Sequence, residues 1–238
     1  MERDAQRENS IIEKARTLIA ERFHGVLATL STEYPGYPFG SVLPYSLDDA
    51  GWPMILVSDL AQHTRHLAEN SRCSLVLREP EDGDIQQQMR LTMLADALPI
   101  EDIDPALAAR HFRYFHASRS YFEELNFRFL RLTPVRFHCV GGFGAARWIG
   151  TERLRDKLRF SLKEESRLLE LVNGELTHHL HRVYRSAFFR EQSPENPTLA
   201  VGLDRNGIDL RHDDHLCRRS FPEPVSSTDE LCAAIARL

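Results

Sequence analysis

Four cysteines in 238 residues (Cys73, Cys139, Cys217 and Cys232) stand far apart, and no two form a C-x-x-C pair. That spacing argues against a disulfide framework and a structural zinc cluster, and makes a reducing cytoplasm the expected home. No apolar run approaches the length of a membrane span. The opening residues, MERDAQREN, are charged and lack the apolar core of a secretory signal. Phosphate-cradling loops are missing as well: there is no P-loop, and Gly142-Phe143-Gly144 precedes a strand and reads as a joint. No G-x-S-x-G occurs, and the one adjacent histidine–cysteine pair, His138-Cys139, lies within an expected strand, so nucleophilic catalysis has little support. Cations form no stripe: 30 Lys and Arg stand against 35 Asp and Glu, for a net charge of −5. The basic stretch Arg147–Arg159 is interrupted by Glu152 and Asp156, so no nucleic-acid partner is expected.

What is present suits a globular chain, 42% hydrophobic and 27% charged, long enough for one large or two smaller domains. Asn9 or Ser10 is expected to cap a first helix, with Ile11, Ile12, Ala15, Leu18 and Ile19 on its apolar face. Strands are expected at Val26–Leu30, Pro38–Ser46, Met54–Ser58, Cys73–Arg78, Met89–Leu98, Phe127–Leu132 and Val135–Val140, the last two parted by Thr133-Pro134. Asp48-Asp49-Ala50-Gly51 is turn chemistry, because Asp bonds its own backbone and Gly accepts positive φ. Glu79–Asp84 is an acidic loop, and Ala61–Glu69 a short helix. Asp104-Pro105 opens a helix whose aromatic run (His111, Phe112, Tyr114, Phe115, His116, Tyr121, Phe122) reads as core or dimer-facing surface, with a cofactor wall as the alternative. Six or seven strands with few helices between them suit a closed antiparallel barrel. A boundary is expected near Gly150, dividing 1–150 from a small α+β domain at 151–238. In that second part Ser161 and Glu164 make a capping box. Leu199–Leu203 and Ile208–Leu210 form a hairpin, and Ser226–Asp229 cap a last helix.

Three ordered segments carry a family resemblance: PFGSVLPY from Pro38, LVSDLAQHTRHLAEN ending at Asn70, and GGFGAARWI at Gly141–Ile149. Together they resemble the FMN-binding split β-barrel superfamily, typified by pyridoxamine-5′-phosphate oxidase, and within it the haem-utilisation branch. The match covers roughly residues 10–150, and residues 151–238 resemble the small domain that follows many such barrels. The resemblance implies a six- to seven-stranded antiparallel split barrel with flanking helices, a homodimer with its cofactor cleft between two barrels, and haem or FMN as ligand. Any enzymatic activity would be that of an oxidoreductase, haem-degrading or flavin-dependent.

Ser58, His63, Thr64 and Arg65 cluster where a strand ends and a helix begins, a favourable place for an anion. In flavin-binding relatives an Arg on the first hairpin strand and a Ser-Arg-Lys-like triplet grip the phosphate. Ser41 takes the first place here and His63-Thr64-Arg65 the second, with Arg90 able to approach from a neighbouring strand. For haem, Arg65 or Arg90 would meet the propionates, and His178 or His181, three residues apart on one helix face, would be the axial ligand. Where haem-utilisation relatives carry an acid and a His, this chain has Asn126 and Leu176. With Ser41, those departures motivate a third reading, a non-enzymatic adaptor without a cofactor. His212-Asp213-Asp214-His215 with Cys217 mixes metal-ligand types, but loop spacing is not diagnostic and no metal is expected.

Overall fold

A computed structural model describes residues 2–79, 84–141, 146–155, 159–187 and 196–238, with side chains from residue 8 onward. The joint expected at Gly142-Phe143-Gly144 and most of the acidic loop after Glu79 lie outside those residues. The chain forms two compact units. One holds residues 1–103 and 118–156, and the other 104–117 and 157–238. The sequence places a single cut near Gly150. Instead, the segment Asp104–Ala117 leaves the first unit and folds with the second. No helix among the described residues is long and apolar enough to cross a membrane.

The first unit is a curled antiparallel sheet. Its strands are β1 (His24–Leu30), β2 (Pro38–Pro44), β3 (Ser46–Leu47), β4 (Pro53–Ser58), β5 (Arg72–Arg78), β6 (Met89–Pro99), β7 (Phe127–Gly141) and β8 (Ala146–Ile149). They pair in the order β2-β1-β5-β6-β7-β4-β3, with β8 added to β7. Strand alternation explains the curl: β1 and β5 bury every second residue, and Leu27, Leu75, Leu91, Met93, Leu132 and Phe137 fill the interior. Helix α1 (Glu2–Glu21) lays Ile11, Ile12, Ala15, Leu18 and Ile19 onto that core. It begins before Asn9 and Ser10, which are therefore interior to the helix rather than caps. Asn9 instead accepts a hydrogen bond from Arg153 at the end of α5 (Thr151–Leu154).

The β3–β4 turn forms as its residues dictate. Asp48 Oδ1 accepts from the Ala50 and Trp52 amides, and Gly51 has φ +84°. Asp48 is fully buried, and Arg131 on β7 meets its other oxygen at 2.6 Å. The expected break at Thr133-Pro134 does not end a strand. β7 runs through it, because the register with β6 shifts between Leu94 and Ala95 and the proline sits at that irregularity. A proline that cannot donate to the ladder is tolerated at such a bulge. Two short helices complete the unit: α2 (Gln62–Glu69) after β4, and α4 (Ser118–Glu124) before β7.

The second unit is a three-stranded antiparallel sheet, β9 (Leu199–Asp204), β10 (Gly207–His212) and β11 (His215–Ser220), in the order β11-β10-β9. It packs with α3 (Pro105–Tyr114), α6 (Leu162–Glu175), α7 (Thr177–Ala187) and α8 (Thr228–Arg237). Caps fall where the sequence puts them: Asp104 accepts from the Ala106 amide, Ser161 from Glu164 and Ser227 from Glu230. Leu168, Leu169, Val172, Leu180, Val183, Ile208 and Leu231 form the apolar core. Beside it runs a buried polar network. Arg110 and Arg113 both reach Glu165 at 3.1 Å, Tyr114 donates to Asp209 at 2.6 Å, and Arg218 bridges Asp209 and Asp204 at 2.9 and 2.6 Å.

Candidate functional site

The strand end and helix start singled out by the sequence form a small polar corner in the first unit. β2 directs Ser41 toward the interior side of the sheet, since its partner across the ladder is the fully buried Leu27. At the end of β4, Ser58 turns the chain: its hydroxyl accepts from the Leu60 amide at 3.2 Å and its carbonyl from Ala61. That hydroxyl is thus engaged locally. Helix α2 follows with Ala61 at its cap and no side chain accepting from its first turn. Uncapped amides and the helix dipole favour an anion there.

Three successive side chains of α2 take different places. His63 reaches Ser41, Nδ1 to Oγ 3.3 Å, and burial together with nearby His66 lowers its pKa from 6.5. It is therefore neutral at pH 7, and it joins the strand to the helix. Thr64 is 2% exposed, and its hydroxyl has no hydrogen-bond partner. A buried hydroxyl left unpaired costs about 1–3 kcal/mol, so its presence points to a ligand or a water that completes it. Arg65 is exposed and supplies the positive charge. The nearby acid Asp59 is held by Arg128 at 3.2 Å, and Glu33 accepts from Gln62 at 3.1 Å. One residue of this corner was not assigned to it from the sequence. His66 is 2% exposed, bonds Thr29 through Nδ1 at 2.9 Å and meets the edge of Phe39, so it anchors α2 to the sheet. Nothing in local spacing signals that long-range pairing.

Arg90 does not join the corner. It stands opposite Arg78 and Val140, on the same face of the sheet as the exposed Val26 and Val42, whereas Ser41 faces inward. The two C-terminal histidines, both on α7 in the second unit, also part company. His178 is exposed. His181 is half-buried and shares the Thr198 hydroxyl with His212, at 3.3 and 3.2 Å. His212 is 2% exposed and packs against Tyr184. The loop that mixes ligand types is a turn between β10 and β11, with Asp213 at φ +53°. Among the described residues no three His, Cys, Asp or Glu side chains are grouped to hold a metal ion. The thiols of Cys73, Cys139 and Cys217 are pushed up to about 12 by burial, which keeps them protonated and unreactive. Asn173, near the departure at Leu176, ties α6 to β9 by exchanging two hydrogen bonds with Ala200.

Comparison with known proteins gives this geometry a context. A family model described as CREG, beta-barrel matches residues 6–156. The chloroplastic non-canonical heme oxygenase HOZ of Arabidopsis thaliana is 33% identical over 138 residues, which are 58% of this chain and 42% of that protein. The chain thus spans less than half the length of that relative. A heme binding protein from Mycobacterium smegmatis has a similar structure, with 28% identity, a TM-score of 0.58 and 95% of each chain covered. A protein of unknown function from Agrobacterium tumefaciens, Atu2129, shares the fold over 95% of this chain and 94% of its own, with 22% identity and a TM-score of 0.75.

Proposed function

The chain belongs to the CREG β-barrel family, and from that premise we propose that it is a haem-binding split-barrel protein that degrades or delivers haem. The observation carrying this reading is the α2 corner, where the buried Thr64 hydroxyl lacks a partner beside Ser41, His63 and the exposed Arg65. Haem presents two carboxylates at one edge. Thr64 and Arg65 are donors for such an anion, and the first-turn amides of α2 add to them. Ser41 and neutral His63 hold the helix start against β2 and so fix where those donors point. Ser58 shapes the turn that delivers them. His178 offers an exposed imidazole as an axial ligand, and His181 would ligate through Nε2, since its Nδ1 is engaged with Thr198. Haem, when bound, would supply the redox chemistry. The haem-related names of the Arabidopsis and Mycobacterium smegmatis relatives support this ligand class. Pairing with a second copy of the chain, which the family resemblance implies, belongs to the same proposal and is read by sedimentation.

FMN is the second reading. A corner of hydroxyls, one arginine and an uncapped helix start also suits the compact dianion of a phosphate. The absorption spectrum of the purified full chain, before and after adding hemin or FMN and desalting, decides. A retained Soret band supports haem. Retained oxidised-flavin bands support FMN. A chain that keeps neither is the adaptor without a cofactor, and that result overturns both ligand readings.

A further inference from the structure

The second unit holds a chain of polar side chains that the α2 corner does not use. Thr198, just before β9, is 2% exposed. Its hydroxyl lies 3.3 Å from His181 Nδ1 on α7 and 3.2 Å from His212 Nδ1 at the end of β10. Tyr184 packs on the His212 ring, with centroids 5.3 Å apart. The far nitrogen of that ring, His212 Nε2, is buried without a hydrogen-bond partner and lies 3.9 Å from Asp213 Oδ2. Asp213 enters the turn in the left-handed region, at φ +53°, a conformation that Asp tolerates better than most side chains. Its other oxygen accepts from Asn196 Nδ2 at 2.6 Å, which holds the carboxylate in place.

One hydroxyl between two imidazoles couples their tautomers. A neutral imidazole has one N–H and one bare nitrogen, and a threonine hydroxyl has one hydrogen to give. Two accepting Nδ1 atoms would need two hydroxyl hydrogens. Two donating Nδ1 atoms would leave the hydroxyl hydrogen without an acceptor among the described residues, a costly state for a buried group. With both rings neutral, one Nδ1 therefore donates and the other accepts. Asp213 chooses between them. A bare His212 Nε2 would turn its lone pair toward the carboxylate. An Nε2–H is attracted to it, although 3.9 Å is too long for a hydrogen bond. His212 Nδ1 is then bare and accepts from Thr198, Thr198 accepts from His181 Nδ1–H, and the His181 lone pair lies on Nε2.

We infer that Asp213, His212 and Thr198 are positioning residues that fix His181 as a donor through Nε2, and that His181 rather than His178 is the axial ligand. An outer hydrogen bond of this kind orients a ligating imidazole and raises its basicity. His178 is exposed, and among the described residues no hydrogen bond selects its tautomer. The axial role rests on the haem reading above; the tautomers do not.

Long-range proton–nitrogen NMR spectra of the ligand-free full chain, in mildly alkaline buffer, read the tautomers, with His181→Gln and His212→Gln giving the assignments. His181 should be the Nδ1–H form and His212 the Nε2–H form. Thr198→Val should release His181 into a mixture, and Thr198→Ser should restore the wild-type pattern. The relay is overturned if His181 is Nε2–H in the wild type, or if Thr198→Val leaves both rings unchanged. With hemin bound and reduced, the iron–histidine stretch in the resonance Raman spectrum should vanish in His181→Ala and persist in His178→Ala. Thr198→Val should lower its frequency and weaken hemin affinity about tenfold. A stretch that persists in His181→Ala overturns the ligand assignment. A chain that retains no hemin removes the haem reading and the axial role with it, and the ligand-free tautomers still decide the relay.

Discussion

Adding one methyl group at Gly202 should unfold much of the second unit's polar interior. A Cβ built on Gly202 lies 1.7 Å from Tyr114 Oη, 2.6 Å from Tyr114 Cζ and 2.9 Å from Asp209 Oδ2. The backbone there is not in the left-handed region, so alanine is conformationally acceptable and the penalty is steric. Tyr114 is only 6% exposed and its hydroxyl donates to the buried Asp209, so the ring has nowhere to retreat without breaking that bond. Overpacking a tight core costs about 1–3 kcal/mol. Losing a buried hydrogen bond to a charged group costs about 1.5–3 kcal/mol. The stiffer unfolded chain returns about 0.4–1 kcal/mol. Gly202→Ala should therefore lose about 3 kcal/mol net. Scanning calorimetry of the full chain should show one transition lowered by about 12 °C or more, using roughly 4–8 °C per kcal/mol for a unit of this size. In a Tyr114→Phe background the closest contact disappears, and the same substitution should cost less. A Gly202→Ala loss below about 0.5 kcal/mol, the scale of an unremarkable surface change, would refute the close packing of β9 against α3.

Three further outcomes follow from individual groups. His111 is 1% exposed, and burial pushes its pKa down to about 3 from 6.5. Its contribution to stability is complete above pH 6.5 and is lost as the unfolded chain takes up the proton below that. Acidification from pH 7 to 4 should cost about 3 kcal/mol at this site, and denaturant titrations of His111→Gln should lack that slope; coincident slopes would refute it. Thr64→Val removes an unpaired buried hydroxyl, so urea midpoints should rise by an amount equal to about 1 kcal/mol while hemin or FMN retention weakens. A fall in stability would mean the hydroxyl has a partner in the free protein. Arg65→Ala should leave stability within about 0.5 kcal/mol and weaken anion binding about tenfold; unchanged affinity for both hemin and FMN would remove the corner as the anion site.

Features set by neighbouring residues were legible in the sequence. The Asp48–Gly51 turn, the caps at Asp104 and Ser161 and the polar corner after β4 all follow from chemistry within a few positions. What escaped depends on distant partners. Strand β11, HLCRRS, has no apolar alternation to announce it, because Arg218 turns inward to pair with Asp204 and Asp209. Thr133-Pro134 reads as a break, yet the irregularity on β6 opposite it lets β7 continue. Arg90 looks able to approach the corner until the register fixes which way it faces. His181 looks like a twin of His178, and only the fold reveals Thr198 and His212 beside it.

The helix α3 has a consequence for how the polypeptide can be divided. Tyr114 and Asp209 are 95 positions apart, so a ribosome releases the helix long before its partners exist. Meanwhile Arg110, Arg113 and Tyr114 must remain hydrated and uncommitted. Severing the gene near codon 150 would strand those side chains on a fragment that cannot satisfy them, and would deprive the remainder of the Arg110 and Arg113 cations that neutralise Glu165. Each half would then be poorer than the boundary suggests, and mixing the two halves should restore order that neither retains alone.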